Sequence, residues 1–303
     1  MTRRHLIVLV GPTAVGKTQW AIRLAKHFNS EIVSADSRQV FKEMAIGTAV
    51  PTDKELQQVP HHLIQHRSIK DPYSVGDFVK EAKAILEELF QQHEIVIMAG
   101  GSGLYIQALL FGLDQFPEID PQIREDLNSV LKSKGLSELQ LMLKRKDPDY
   151  YEKVDLENPH RVIRALEVCL GTNKPYSSYL GKKDVQHNFD FSLIGLEMDR
   201  ELLYMQVNKR VDEMMAGGLL AEVKGLQDYK HLNALQTVGY KELFKYIDDL
   251  YSLEAAIEEI KKNTRRFAKR QGTWFRKMPG IKWLHWNASE KEFTEQIEKL
   301  IQQ

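Results

Sequence analysis

Gly11-Pro12-Thr13-Ala14-Val15-Gly16-Lys17-Thr18 fits the pattern G-x-x-x-x-G-K-[S/T]. This spacing serves phosphate. The glycines let backbone N–H groups turn inward around an anion, and a helix N-terminus behind them adds partial positive charge. Lys17 is placed to reach a terminal phosphate, and the Thr18 hydroxyl to hold Mg²⁺. The motif does not say what carries the phosphate, nor whether a phosphoryl group is transferred.

Four other groups could do chemistry. Asp36 opens Asp36-Ser37-Arg38-Gln39-Val40-Phe41 just after an apolar run. It is placed either to act beside bound phosphate or to cap a helix. Ala99-Gly100-Gly101-Ser102-Gly103-Leu104-Tyr105 is a glycine-rich turn that lets a ligand approach the backbone. No Asp closes the run before it, so the acidic position of many ATPases is missing. His160, Arg161 and Arg164 share one helical stretch, as a basic site or a solvated face. Finally, Lys261, Lys262, Arg265, Arg266, Lys269, Arg270, Arg276 and Lys277 occupy 261–277 without one acidic residue. A charge run is usually a solvated face. In a chain of zero net charge it also matches the footprint of a protein that contacts a phosphate backbone. His61, His62 and His66 have no H-E-x-x-H pattern and no cysteine partner, so zinc is not expected.

The elements that position these groups read as a parallel α/β sheet. Leu6–Val10 is a short apolar strand ahead of the loop, and residues 19–28 form an amphipathic helix behind it. Glu31–Ala35, Glu94–Met98, Phe191–Leu196 and Ile281–Trp286 read as further strands. Strand ends carry the chemistry in such sheets, which puts Asp36 and the Gly100–Tyr105 turn beside the phosphate loop. From about Ile119 helix signals dominate. The expected organisation is therefore a core of 1–118 and 191–303, of the P-loop NTPase type, with a mainly helical insertion at 119–190. In the helix Ala255–Met278, the apolar positions Ile257, Ile260, Phe267, Trp274 and Met278 keep helical period.

The totals narrow the class. With 303 residues the chain has room for one large domain or two modest ones. It is 43% hydrophobic and 28% charged, ordinary for a globular protein. Its single cysteine, Cys169, excludes an internal disulfide and a cysteine-rich zinc module, and suits a reducing cytoplasm. No apolar run approaches the roughly 18 residues of a membrane span. The basic first residues lead into a core strand and not into a signal peptide.

Taken together, the phosphate loop, the Asp36–Phe41 turn, His61-His62-Leu63-Ile64, Gly100–Tyr105, His160–Val168, Val238-Gly239-Tyr240-Lys241-Glu242 and Thr264–Arg276 closely resemble the bacterial tRNA dimethylallyltransferase family, over about residues 5–286. The resemblance implies transfer of the dimethylallyl group from dimethylallyl diphosphate to N6 of the adenosine 3′ of the tRNA anticodon (position 37), with release of diphosphate. Gly11 to Thr18 and Arg210 would then hold diphosphate, with Mg²⁺ at Thr18, and need not bind ATP. Asp36 matches the family's proposed base, with Lys17 and Ser102 as further catalytic groups. Ser102 stands where the family usually has Thr and keeps the hydroxyl. Gln206 stands where relatives often have Arg. Asp36, Ser37, Arg38, Gln39 and Ser102 would read the adenine; Arg124, His160, Arg161, Val162, Ile163 and Arg164 would hold the anticodon stem-loop. The 261–277 cations would line the tRNA path or fix diphosphate. A cytoplasmic monomer is expected. The other readings are an adenylate isopentenyltransferase acting on free AMP, ADP or ATP, and a P-loop nucleotide kinase.

Overall fold

The protein is described by a computed structural model that covers residues 4–181 and 185–302. Six strands form one parallel sheet: β1 (His5–Val10), β2 (Ile32–Ser34), β3 (His61–His62), β4 (Ile95–Gly100), β5 (Asp190–Glu197) and β6 (Ile281–His285). Their order is β3-β2-β4-β1-β5-β6. Every residue of β1 is buried, as expected for a central strand covered on both faces. Because all strands run the same way, their C-terminal ends meet on one edge. Gly11, Asp36 and Ser102, which follow β1, β2 and β4, are brought together there although up to about 90 residues separate them.

The strand at His61–His62 is an addition to the sequence reading, which placed those histidines in a loop. Two residues on a sheet edge are too short to show alternation. Their side chains have structural partners: His61 Nδ1 pairs with the Val59 carbonyl, and His62 Nε2 with Glu31 at 2.6 Å. His66 Nε2 pairs with Glu81 at 2.8 Å. Among the described residues no group of three or more His, Cys, Asp or Glu could hold a metal ion. No helix among them is long and apolar enough to cross a membrane.

The chain divides into two compact units, Met1–Leu110 with Gln186–Gln303, and Phe111–Val185. The smaller unit thus spans 111–185, where the sequence reading drew 119–190. Residues 187–189 belong with the larger unit because His187 Nε2 pairs with the Leu110 carbonyl and Phe189 stacks on Phe90.

In the larger unit the helix Lys17–His27 packs behind the phosphate loop. Its Trp20 stacks on Phe293 of the helix Glu290–Ile301 with ring centroids 3.9 Å apart. A second cluster joins Val40, Phe41 and Met44 to Val211, Tyr240 and Ile260. The helix Leu253–Arg276 buries Ala256, Ile260, Ala268, Gln271 and Phe275. Phe267 and Trp274, expected on its apolar stripe, are instead 40% and 37% exposed. Each precedes a residue that is buried, Ala268 and Phe275, and lies at the margin of the packed side.

The smaller unit packs three helices, Pro121–Lys134, Leu136–Lys146 and Pro159–Thr172. Asp120 and Asn158 cap the first and third, each followed by Pro at a position that needs no N–H donor. Its core includes Leu127, Leu139, Leu143, Leu166, Val162 and Ile163. The last two, expected to hold RNA, are 0% and 4% exposed, so their side chains pack in this core.

Candidate active site

A cleft of about 1150 Å³ lies in the larger unit, lined by Lys17, Thr18, Asp36, Ser102, Arg210 and Arg270 among others. The phosphate loop forms one wall. Gly16 sits at φ 96°, ψ 18° at the head of the helix Lys17–His27, a left-handed conformation that glycine adopts without steric cost. Lys17 Nζ folds back on its own loop, donating to the carbonyls of Gly11 at 3.0 Å and Pro12 at 2.8 Å. Burial, then the neighbouring Arg210 cation, push the Lys17 pKa down to about 7, against a smaller opposing pull from Asp36. Burial also lowers the Arg210 pKa. Arg210 donates to Thr13 Oγ1 at 3.1 Å.

Thr13 is held from a second side. Its backbone N–H donates to Gln271 Oε1 at 2.9 Å, and Gln271 Nε2 donates to the Gly101 carbonyl at 2.9 Å. The turn after β4 is thereby tied to the loop. Gly100 lets the end of β4 lie close against the end of β2, because a Cβ there would collide with the backbone of Ala35. Ser102 Oγ accepts the Ser37 N–H at 2.8 Å, which fixes the turn after β2. Asp36 lines the cleft at that turn. Its Oδ1 accepts the N–H groups of Arg38 at 2.9 Å and Gln39 at 3.4 Å. Residues 37–40 form a turn and not a helix, so Asp36 caps no helix: its carboxylate closes this turn and lines the cleft at once.

Two neighbours expected to read a base are engaged in holding the wall. Arg38 donates to the carbonyls of Asn233 and Ala234, and Gln39 Nε2 to those of Thr48 and Ala49. The opposite rim, from Ala45 to Gly47, has no regular structure of its own. It is fixed by Glu222, whose carboxylate accepts three backbone N–H groups at 2.7–3.0 Å and the Tyr240 hydroxyl at 2.5 Å. Burial and that bond to Glu222 push the Tyr240 pKa up.

The basic helix divides by position. Lys261 pairs with Asp212 at 2.9 Å and Glu258 at 3.3 Å, and Lys262 with Glu259 at 2.7 Å. Arg265 donates to Asn208 at 2.6 Å. Counting acids only within 261–277 missed these partners, which lie one turn earlier or on another helix. Farther along, Phe267 and Arg270 line the cleft, with the guanidinium 5.8 Å from the ring centroid. Gln271 and Glu222 were not singled out from sequence; nothing local marks either.

Arg124, His160, Arg161 and Arg164 belong to the smaller unit. Arg124 and Arg164 converge on the buried carboxylate of Glu167 at 3.3 and 3.0 Å, and Arg164 lies over Phe116. His160 and Arg161 are exposed at the start of their helix, where the Asn158 side chain accepts both backbone N–H groups.

The donor set in the cleft fits Mg²⁺. That ion takes one or two protein oxygens and fills its octahedron with phosphate oxygens and water. The Thr18 hydroxyl and the Asp36 carboxylate line the same cleft and could supply those protein oxygens.

Comparison with known proteins gives one answer. The IPP transferase family model matches residues 39–278. The chain is 55% identical over 297 residues to a tRNA dimethylallyltransferase of Christiangramia forsetii, covering 98% of each chain. It is 53% identical over 300 residues to that of Flavobacterium johnsoniae, covering 97% of each. Among solved structures, the full-length tRNA isopentenylpyrophosphate transferase of Bacillus halodurans aligns with TM-score 0.72 and 36% identity, over 99% of this chain and 96% of that one. A eukaryotic dimethylallyltransferase acting on tRNA aligns with TM-score 0.80 and 28% identity, over 98% of this chain and 78% of that one.

Proposed function

The chain belongs to the IPP transferase family, and we infer that it is an enzyme that moves the dimethylallyl group of dimethylallyl diphosphate to N6 of the adenosine 3′ of the anticodon (position 37) in tRNA. The observation that carries the reading is one cleft in which an anion loop with two half-buried cations, Lys17 and Arg210, shares its walls with the Asp36 turn.

The chemistry follows from the bonds. The allylic C–O bond breaks and its electron pair leaves on diphosphate. The N6 lone pair forms the new C–N bond, and N6 loses a proton. Loop N–H groups, Lys17 and Arg210 stabilise the charge that builds on diphosphate, and being fixed in advance they need no reorganisation. Asp36 accepts the N6 proton, a contribution of roughly 10²–10⁴-fold. Ser102 keeps the Asp36 turn in place through the Ser37 N–H. Mg²⁺, held by Thr18, would add positive charge beside the leaving diphosphate.

On the RNA side, the reacting base has to leave its stack to enter the cleft. Arg270 and Phe267 offer it a cation and an aromatic face. Ser37, Arg38 and Gln39 shape the wall it meets, and Arg124, His160, Arg161 and Arg164 supply charge for the anticodon stem-loop. The protein works as a monomer in the cytoplasm, where its tRNA substrate is found.

The test uses purified protein, labelled dimethylallyl diphosphate, and either unmodified tRNA or free AMP, with ATP turnover followed in parallel. Label on N6 of tRNA is expected. Label on AMP alone would identify an adenylate isopentenyltransferase. Phosphoryl transfer from ATP without labelling would identify a kinase.

A further inference from the structure

Gln271 lies on the packed side of the helix Leu253–Arg276 and is 7% exposed. Its carboxamide joins two segments 258 and 170 residues away in sequence: Oε1 accepts from Thr13, and Nε2 donates to Gly101. A carboxamide has one acceptor end and one donor end, so an N–H on one side and a carbonyl on the other fix its orientation. The first partner is in the middle of the phosphate loop. The second adjoins Ser102, which holds Ser37 beside Asp36. The preceding residue, Arg270, lines the cleft. Gly101 is fitted to this arrangement, since a Cβ at that position would run into Gln271 Nε2.

We propose that Gln271 is a positioning residue for the transfer reaction: it holds the phosphate loop in the shape that receives diphosphate and locks that shape to the turn that places Asp36. The proposal rests on the reading that the loop receives dimethylallyl diphosphate. With Gln271 in place, the Thr13 N–H is satisfied inside the protein. The anion is left to the donors from Ala14 onward, with Lys17 and Arg210. Without it, a buried N–H and a buried carbonyl lose their partners, and the loop has to shift to pair them. An anion site that must reorganise binds and stabilises charge less well.

The experiment compares the full chain with Gln271→Met, which keeps length and burial, and Gly101→Ala, which pushes Gln271 away while leaving it intact. Binding of inorganic diphosphate is measured by calorimetry, and steady-state transfer with dimethylallyl diphosphate and unmodified tRNA gives kcat and each KM. Both variants are expected to bind diphosphate about tenfold more weakly, the scale of a lost buried hydrogen bond. The KM for dimethylallyl diphosphate rises in step, and the KM for tRNA stays within about twofold. If Gln271→Met fails to melt cooperatively, Gly101→Ala carries the test. Unchanged diphosphate affinity in the folded variants would overturn the proposal. So would a KM for tRNA that rises as much as that for dimethylallyl diphosphate, since Gln271 would then serve the RNA. Wild-type protein that labels no tRNA, while the variants still lose diphosphate affinity, would sink the assigned reaction and leave the role of Gln271 standing.

Discussion

Lys17 and Arg210 in the cleft, and Arg124 and Arg164 in the smaller unit, are pairs of cations kept in opposite ways. The first pair is half-buried in the cleft wall, and the loss of water there lowers the proton affinity of both. Their hydrogen bonds go to neutral loop groups, not to carboxylates. The second pair is 51% and 39% exposed in its side chains and already shares the carboxylate of Glu167. Charge held out of water, with only the smaller pull of nearby acids such as Asp36 to offset it, is costly unless something arrives to pair with it. Exposed, paired charge costs little and is screened by salt. The first arrangement suits a small anion that must be gripped and then stabilised as it leaves. The second suits a long polyanion that is held loosely at many points.

The sharpest way to break this contrast is at Asp36. Asp36→Asn should lose roughly 10²–10⁴-fold in single-turnover transfer, the contribution of a general base, while tRNA binding by filter retention is kept. Normal turnover in this variant would remove Asp36 as the base. Salt gives the next largest effect. If tRNA is held through 6–10 phosphate contacts, its affinity should fall by about 10³-fold or more between 50 and 200 mM salt. The KM for dimethylallyl diphosphate, bound among buried groups, should move far less over the same range. Parallel salt slopes would erase the distinction between the two sites.

The Lys17 shift gives a third test with a definite sign. In the free protein Lys17 is charged below about pH 7 and neutral above it, although its ordinary value is 10.5. A bound diphosphate favours the ammonium form. Affinity for dimethylallyl diphosphate should therefore be full below about pH 7 and fall as pH rises, approaching tenfold per unit. Lys17→Arg, which keeps its charge, should flatten that profile. The smallest effect is expected at Arg164. Arg164→Ala leaves Glu167 paired with Arg124, so folding stability should change by only about 0–1 kcal/mol in thermal melts. The KM for tRNA should rise a few-fold with kcat unchanged; a fall in kcat would place Arg164 in the chemistry.

What was legible in the sequence was what is local. The phosphate loop, the Asp36 turn and the Gly100–Tyr105 turn are each contiguous, and strand–turn–helix order brings them to one edge of a parallel sheet. Arg210 was found only through the family resemblance. Gln271 and Glu222 were out of reach, because their partners are set by tertiary packing and a lone Gln or Glu on a helix has no local mark. Helical period misplaced Phe267 and Trp274, since seven-residue steps from the buried Ile260 drift only about 20° each and end at the margin of the packed face. It did not separate the buried Val162 and Ile163 from their exposed neighbours either, because a motif groups residues by sequence and burial groups them by face.

The clamp on Thr13 also bears on synthesis. The loop occupies residues 11–18 and leaves the ribosome well before the residues that clamp it. β1 gains its β5 neighbour only after residue 190, Arg210 follows, and Gln271 comes 258 residues after Thr13. Until residue 271 has been made, a growing chain carries the phosphate-loop sequence without the side chain that ties Thr13 to Gly101. The loop is clamped only when the helix that brings Gln271 docks, so its final shape is a late product of tertiary folding and not of local sequence.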